Sequence, residues 1–155
     1  KPMPNRLQLI KQWVGEGGGL MMCGGYYSFA GIYGQAKYYH TPIEEILPVN
    51  IHTFDDRIET PEGLIPEIVR PDHPILKDMP KQFPPLLGFN ELVLKPDADL
   101  LATIGDFPLL ATIKFEKGKT MIWSSDIGPH WCPEAFMNWE GYARLWRQSV
   151  KWLCG

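Results

Sequence analysis

Paired cysteines, an excess of basic charge and long apolar runs are all missing from this sequence of 155 residues. Its three cysteines, Cys23, Cys132 and Cys154, are an odd number with no Cys-x-x-Cys pair. Full disulfide pairing is excluded, and a reduced, cytoplasmic protein is the simpler expectation. Lys and Arg number 15 against 18 Asp and Glu, a net charge of −3. The basic footprint of a nucleic-acid binder is therefore absent. No apolar run approaches the ~18 residues of a membrane span, and no basic-then-apolar leader follows Lys1. The glycines form neither a G-x-G-x-x-G frame nor a G-K-[ST] loop, so no phosphate cradle and no cofactor are expected. His40, His52 and His73 are scattered, and His130 with Cys132 falls far short of a zinc signature, so no metal is expected either.

What is present is turn chemistry. Glycine and proline number 15 each, which argues against a helical bundle and for short elements joined by many turns. One domain is the default for this length. Asn5 is placed to cap a helix over 6–14, with Leu7, Ile10, Trp13 and Val14 on one face and Gly15 ending it. Residues 19–23, Gly-Leu-Met-Met-Cys, read as a short buried strand. A helix feeding such a strand is half of a βαβ unit, so the chain is expected to be N-terminally incomplete. A single helical turn is expected near Ser28 to Ala30, and Thr41, Pro42 and Glu44 form the pattern of a capped helix.

Farther along, 49–55 and 64–69 read as strands around a turn at 59–63, and Asp72 as the cap of a short helix through Lys77 to Met79. Four strand candidates follow, 91–94, 99–104, 109–115 and 120–124, with a hairpin turn at 116–119. A loop over 125–133 leads to a last helix, 138–153, striped by Trp139, Tyr142, Trp146, Val150 and Leu153. This order is α/β with an antiparallel addition.

Three residues are candidates for chemistry. Cys23 ends an apolar strand and precedes Gly24 and Gly25, the small neighbours a nucleophile on a sharp turn needs. Backbone N–H groups there are placed for an oxyanion. A buried structural cysteine is the rival reading. His130, in the loop after the last strand, is a candidate base, with Glu134 or Asp126 to orient it. A structural histidine tying the loop down is its rival. Tyr26, Tyr27, Tyr33, Tyr38 and Tyr39 suit a pocket or an interface equally.

The stretch 15–31, Gly-Glu-Gly-Gly-Gly-Leu-Met-Met-Cys-Gly-Gly-Tyr-Tyr-Ser-Phe-Ala-Gly, resembles the bacterial glutamine-amidotransferase-like proteins of unknown function. So do 41–49, 124–131 and the closing 139–152. The resemblance implies a flavodoxin-like three-layer sandwich related to class I glutamine amidotransferases, with the family's first strands missing here. It implies a thiol nucleophile at Cys23, His130 as its base and a small amide or amino-acid-like ligand. The family's G-x-C-x-G elbow has Met21 in place of its first glycine, and its His-x-Glu has Cys132 in place of Glu, with Glu134 four residues after His130. These departures favour a binding or assembly module over a glutaminase, and an open sheet edge suggests a homo-oligomer.

Overall fold

The computed structural model describes residues 5–155. In chain order it runs α1 (Arg6–Gly15), β1 (Gly19–Cys23), a 3₁₀ turn (Ile32–Gly34), α2 (Pro42–Ile46), β2 (Val49–Ile51), β3 (Arg57–Leu64), β4 (Glu67–Ile68), β5 (Leu86–Asn90), β6 (Leu92–Leu94), β7 (Asp99–Ile104), β8 (Phe107–Phe115), β9 (Gly118–Trp123), α3 (Glu134–Met137) and α4 (Tyr142–Cys154). The main sheet has the order β1-β9-β8-β7-β4. Only β1 and β9 are parallel; the other pairs are antiparallel. Two antiparallel ladders, β2 with β6 and β3 with β5, stand beside it. The fold is mixed α/β with a mixed central sheet, and the antiparallel addition is larger than the parallel part.

Strand alternation divides the core into two layers. Met21 and Cys23 pack into the cluster of Leu110, Met121, Trp123 and Leu145, on the side of α4. Leu20 and Met22 pack into the cluster of Phe29, Ile43, Leu47 and Ile122, on the side of α1 and α2. β1 thus packs against a cluster on each face, but at the end of the sheet order its five residues are only partly buried, not buried as expected.

Several expected boundaries move, each for a local reason. Asn5 Oδ1 does accept the Leu7 N–H at 3.0 Å, but α1 runs on through Gly15, and Gly17 takes the left-handed turn at φ 121°. Trp13 lies 53% exposed rather than in the apolar face. Thr41 does not cap α2, because its hydroxyl donates to Tyr38 O at 2.6 Å. No helical turn forms near Ser28, where Phe29 takes φ 54°. After Asp72 a single turn forms in place of a helix, with the Leu76 and Lys77 N–H groups both donating to His73 O, at 2.8 and 2.9 Å. The expected turn at 59–63 lies within β3, whose pairing with β5 is interrupted between Glu59 and Leu64, around Pro61 and the left-handed Gly63. β5 carries no alternation and was not expected. The last helix begins at Tyr142, because residues 134–137 form their own turn, α3. Its buried line is Leu145, Ser149 and Leu153, which turns Val150 out to solvent.

Candidate functional site

The turn after β1 is held from three directions. The Gly24 N–H donates to Trp123 O at 2.7 Å and to Ser125 O at 3.0 Å. A β-carbon at Gly24 would lie 2.2 Å from Ser124 O, so only glycine fits between β1 and the end of β9. Gly25, at φ 134°, donates its N–H to Asn90 Oδ1 at 2.9 Å. Asn90 in turn donates to Gly25 O at 3.2 Å and to Asp56 Oδ1 at 2.8 Å. Asp56, buried, also accepts the N–H groups of Ala30 and Gly31, both at 2.9 Å. Burial pushes its carboxyl up from the ordinary range, while these three donors pull it back. The loop 24–31 is therefore built around one buried carboxylate and one buried amide.

Cys23 is half-buried at the start of this turn. Burial first, and the negative charge of Asp126 second, push its thiol up to about 11. Cys132, buried, is raised to about 11 by the same two causes. Both causes oppose ionisation, the reverse of what activates a thiol nucleophile.

His130 stands on the facing loop with its side chain 47% exposed. Its Nδ1 lies 2.8 Å from Asp126 Oδ2, which also accepts the Trp131 N–H at 3.0 Å. Among the described residues, no hydrogen bond joins the Cys23 thiol to His130. The His130 backbone sits at φ 119°, a region that residues with a β-carbon rarely enter and that costs on the order of 1–3 kcal/mol. Glu134 is not part of this arrangement. It opens α3, exposed, with Asn138 Nδ2 at 3.4 Å from its Oε1. The loop curls back, so the carboxylate that reaches the imidazole is Asp126, four residues before it.

Around His130 runs a strip of stacked side chains. Trp131 and His130 have centroids 5.4 Å apart, and His130 and Tyr26 meet edge to face at 4.6 Å. The Arg57 guanidinium lies 4.4 Å from the Tyr26 centroid and 5.7 Å from that of Tyr33, which is 75% exposed. Each member is tied down by a carboxylate. Asp55 holds Arg57 through two bonds, at 2.9 and 2.7 Å, and accepts the Tyr33 N–H at 2.8 Å. Arg57 keeps the Asp55 carboxyl well below the usual range and is itself raised by that partner. Glu59 accepts Tyr26 OH at 2.8 Å and Trp131 Nε1–H at 3.0 Å. The tyrosines were flagged by the sequence; Asp55, Asp56, Arg57, Glu59 and Asn90 were not, because they come from the β3–β5 ladder and its approaches and share no spacing with Cys23.

A family model described as putative glutamine amidotransferase matches residues 1–155. No curated protein sequence matches the chain. A cytoplasmic protein from Salmonella typhimurium superposes with a TM-score of 0.95 at 42% identity, over 99% of this chain and 62% of its own. A second, from Salmonella typhimurium LT2, gives 0.93 at 41% identity, over 97% of this chain and 61% of its own. This chain spans about three fifths of the length of both. Both are described as cytoplasmic proteins. A β-galactosidase from Rahnella sp. R3, at 15% identity with a TM-score of 0.63 over 96% of this chain and 20% of its own, shares the fold alone. Among the described residues no helix is long and apolar enough to cross a membrane. The match over the full length settles the family: the chain belongs to the glutamine amidotransferase-like proteins.

Proposed function

We propose that this chain is a cytoplasmic binding module on the glutamine amidotransferase scaffold, without thiol-dependent glutaminase activity. One observation carries the reading: among the described residues the half-buried Cys23 thiol makes no hydrogen bond to His130, and burial and Asp126 both oppose its ionisation. The recognition surface is the strip of Tyr26, Tyr33, Arg57 and His130, and the ligand class is a small amide or amino-acid-like molecule. The carboxylates that hold the Tyr26, Arg57 and His130 side chains support this role, since groups already fixed in place lose little entropy on binding. Helices on both faces of the sheet support a flavodoxin-like three-layer arrangement, and residues 1–155 form one domain whose β1 edge is completed by another strand.

A second reading is favoured by the Asp126–His130 bond. In it Cys23 is the nucleophile, His130 takes its proton and Asp126 orients the imidazole. Labelling the native protein with a diazo-ketone analogue of glutamine, beside iodoacetamide, separates the two. The binding-module reading expects no selective labelling at Cys23, and no ammonia from glutamine. Selective labelling at Cys23 that is lost in His130→Ala overturns it in favour of the amidase.

A further inference from the structure

The candidate site is made of two loops from the main sheet, and a third element joins them. The loop after β1 carries Gly24, Gly25 and Tyr26. The loop after β9 carries Asp126, His130 and Trp131. They converge where Gly24 bonds to Ser125 and where a β-carbon at Gly25 would lie 2.8 Å from Asp126 Oδ1. Glu59, on β3, reaches both: one carboxylate oxygen takes the Tyr26 hydroxyl and the other takes the Trp131 indole N–H. Directly across the ladder from Glu59 is Gly88. A β-carbon there would lie 2.3 Å from Trp131 Nε1, so the missing side chain is the space the indole occupies. The backbone on either side fixes the same loop, with the Leu87 N–H on Trp131 O at 2.8 Å and the Ser125 hydroxyl on Gly88 O at 2.7 Å.

We infer that Glu59 is the positioning residue of the site: its carboxylate latches the two loops together beside Cys23 and sets how accessible that thiol is. This rests on reading those loops as the binding surface. A carboxylate is suited to it because Tyr26 and Trp131 both present donors, and a carboxylate has two acceptor oxygens and no hydrogen of its own. A glutamine keeps the latch in altered form. Its Oε1 accepts from the indole, which can only donate, and its amide donates to the phenol oxygen, which can also accept. An alanine removes both bonds. The Glu59 charge also holds the Tyr26 phenol above its ordinary pKa, chiefly through that hydrogen bond.

The test compares the native protein with Glu59→Gln and Glu59→Ala by three readouts. The first is the iodoacetamide rate at Cys23, with exposed Cys154 as internal control. The second is the Trp131 indole N–H resonance, and the third the ultraviolet titration of Tyr26. Glu59→Ala is expected to raise the Cys23 rate several-fold with Cys154 unchanged, and to shift the indole resonance upfield. Glu59→Gln is expected to keep the Cys23 rate within about twofold while Tyr26 titrates at lower pH. That separation of rate from titration is not produced by a general loss of stability. Equal Cys23 rates in the native protein and Glu59→Ala, with an unmoved indole resonance, overturn the latch. A latch that fails leaves the glutamine-analogue result untouched, and the converse also holds.

Discussion

At the scale of the residue, Asp126 governs more of the site than either candidate catalytic group. It fixes the His130 ring, accepts the Trp131 N–H and raises both thiols. Removing its charge has a definite sign. A negative neighbour disfavours a thiolate, so Asp126→Asn is expected to lower the midpoint of the Cys23 alkylation–pH profile from about 11. The midpoint is expected to stay above the ordinary 9.0, because burial is the larger cause and remains. The same shift enters stability. The folded thiol keeps its proton to higher pH than the unfolded one, so its contribution is complete below about 9 and is lost as pH rises toward 11. Urea unfolding across that window is expected to show a shallower decline for Cys23→Ala than for the native chain. An alkylation midpoint for Asp126→Asn equal to or above the native value contradicts this electrostatic account.

At the scale of the element, glycines decide where the layers meet. The expected hairpin places Gly118 in its turn; in the structure the turn residue is Glu116, at φ 51°, and Gly118 is the first residue of β9. Its role is close approach. A β-carbon there would lie 2.0 Å from Val14 O and 2.4 Å from Gly18 O, both backbone atoms that cannot rotate away. Gly118→Ala is expected to cost about 3 kcal/mol by forcing α1 off the sheet. Gly128→Ala, where an added β-carbon meets nothing within 4 Å, is expected to stay within ~0.5 kcal/mol. Urea midpoints of the two variants provide the check, and equal midpoints would refute the packing argument. The contrast also marks how far the sequence was legible. β1, β6 and β7 fall where apolar runs and alternation put them, and α1 starts at its Asn5 cap. β5 could not be read, because it presents Leu86, Leu87, Gly88, Phe89 and Asn90 with no period of two, and its meaning lies in what it faces: Trp131 over Gly88 and Asp56 against Asn90. Cys23 and His130 were legible as residue types at plausible chain positions. That Asp126, not Glu134, reaches the imidazole depends on how one loop curls, which no spacing rule supplies.

At the scale of the whole molecule, β1 stands at the edge of the main sheet with the composition of an interior strand. Its residues, Gly-Leu-Met-Met-Cys, carry no charge, no proline and no bulge, which are the devices that keep natural edges from pairing. Both of its faces pack against a core cluster, although its five residues remain only partly buried. The Gly24 N–H points to Trp123 O. Alternation therefore turns the backbone groups of Leu20 and Met22 toward β9, and those of Gly19, Met21 and Cys23 toward the open side. Beside that edge lies an apolar cleft of about 190 Å³ lined by Leu7, Ile10, Leu20, Met22, Tyr38 and Ile43. The 155-residue chain is expected to associate through this edge, with a sedimentation mass that rises with concentration. Hydrogen exchange at low concentration is expected to be slow at Leu20 and Met22 and fast at Met21 and Cys23, and the fast pair is expected to slow as association proceeds. Because Cys23 is one of that pair, a strand added at the edge also closes the site's backbone from the side, so association and Cys23 alkylation are expected to oppose each other. A strict monomer at all concentrations, with Met21 and Cys23 amides already slow, would mean that the edge is satisfied within the chain.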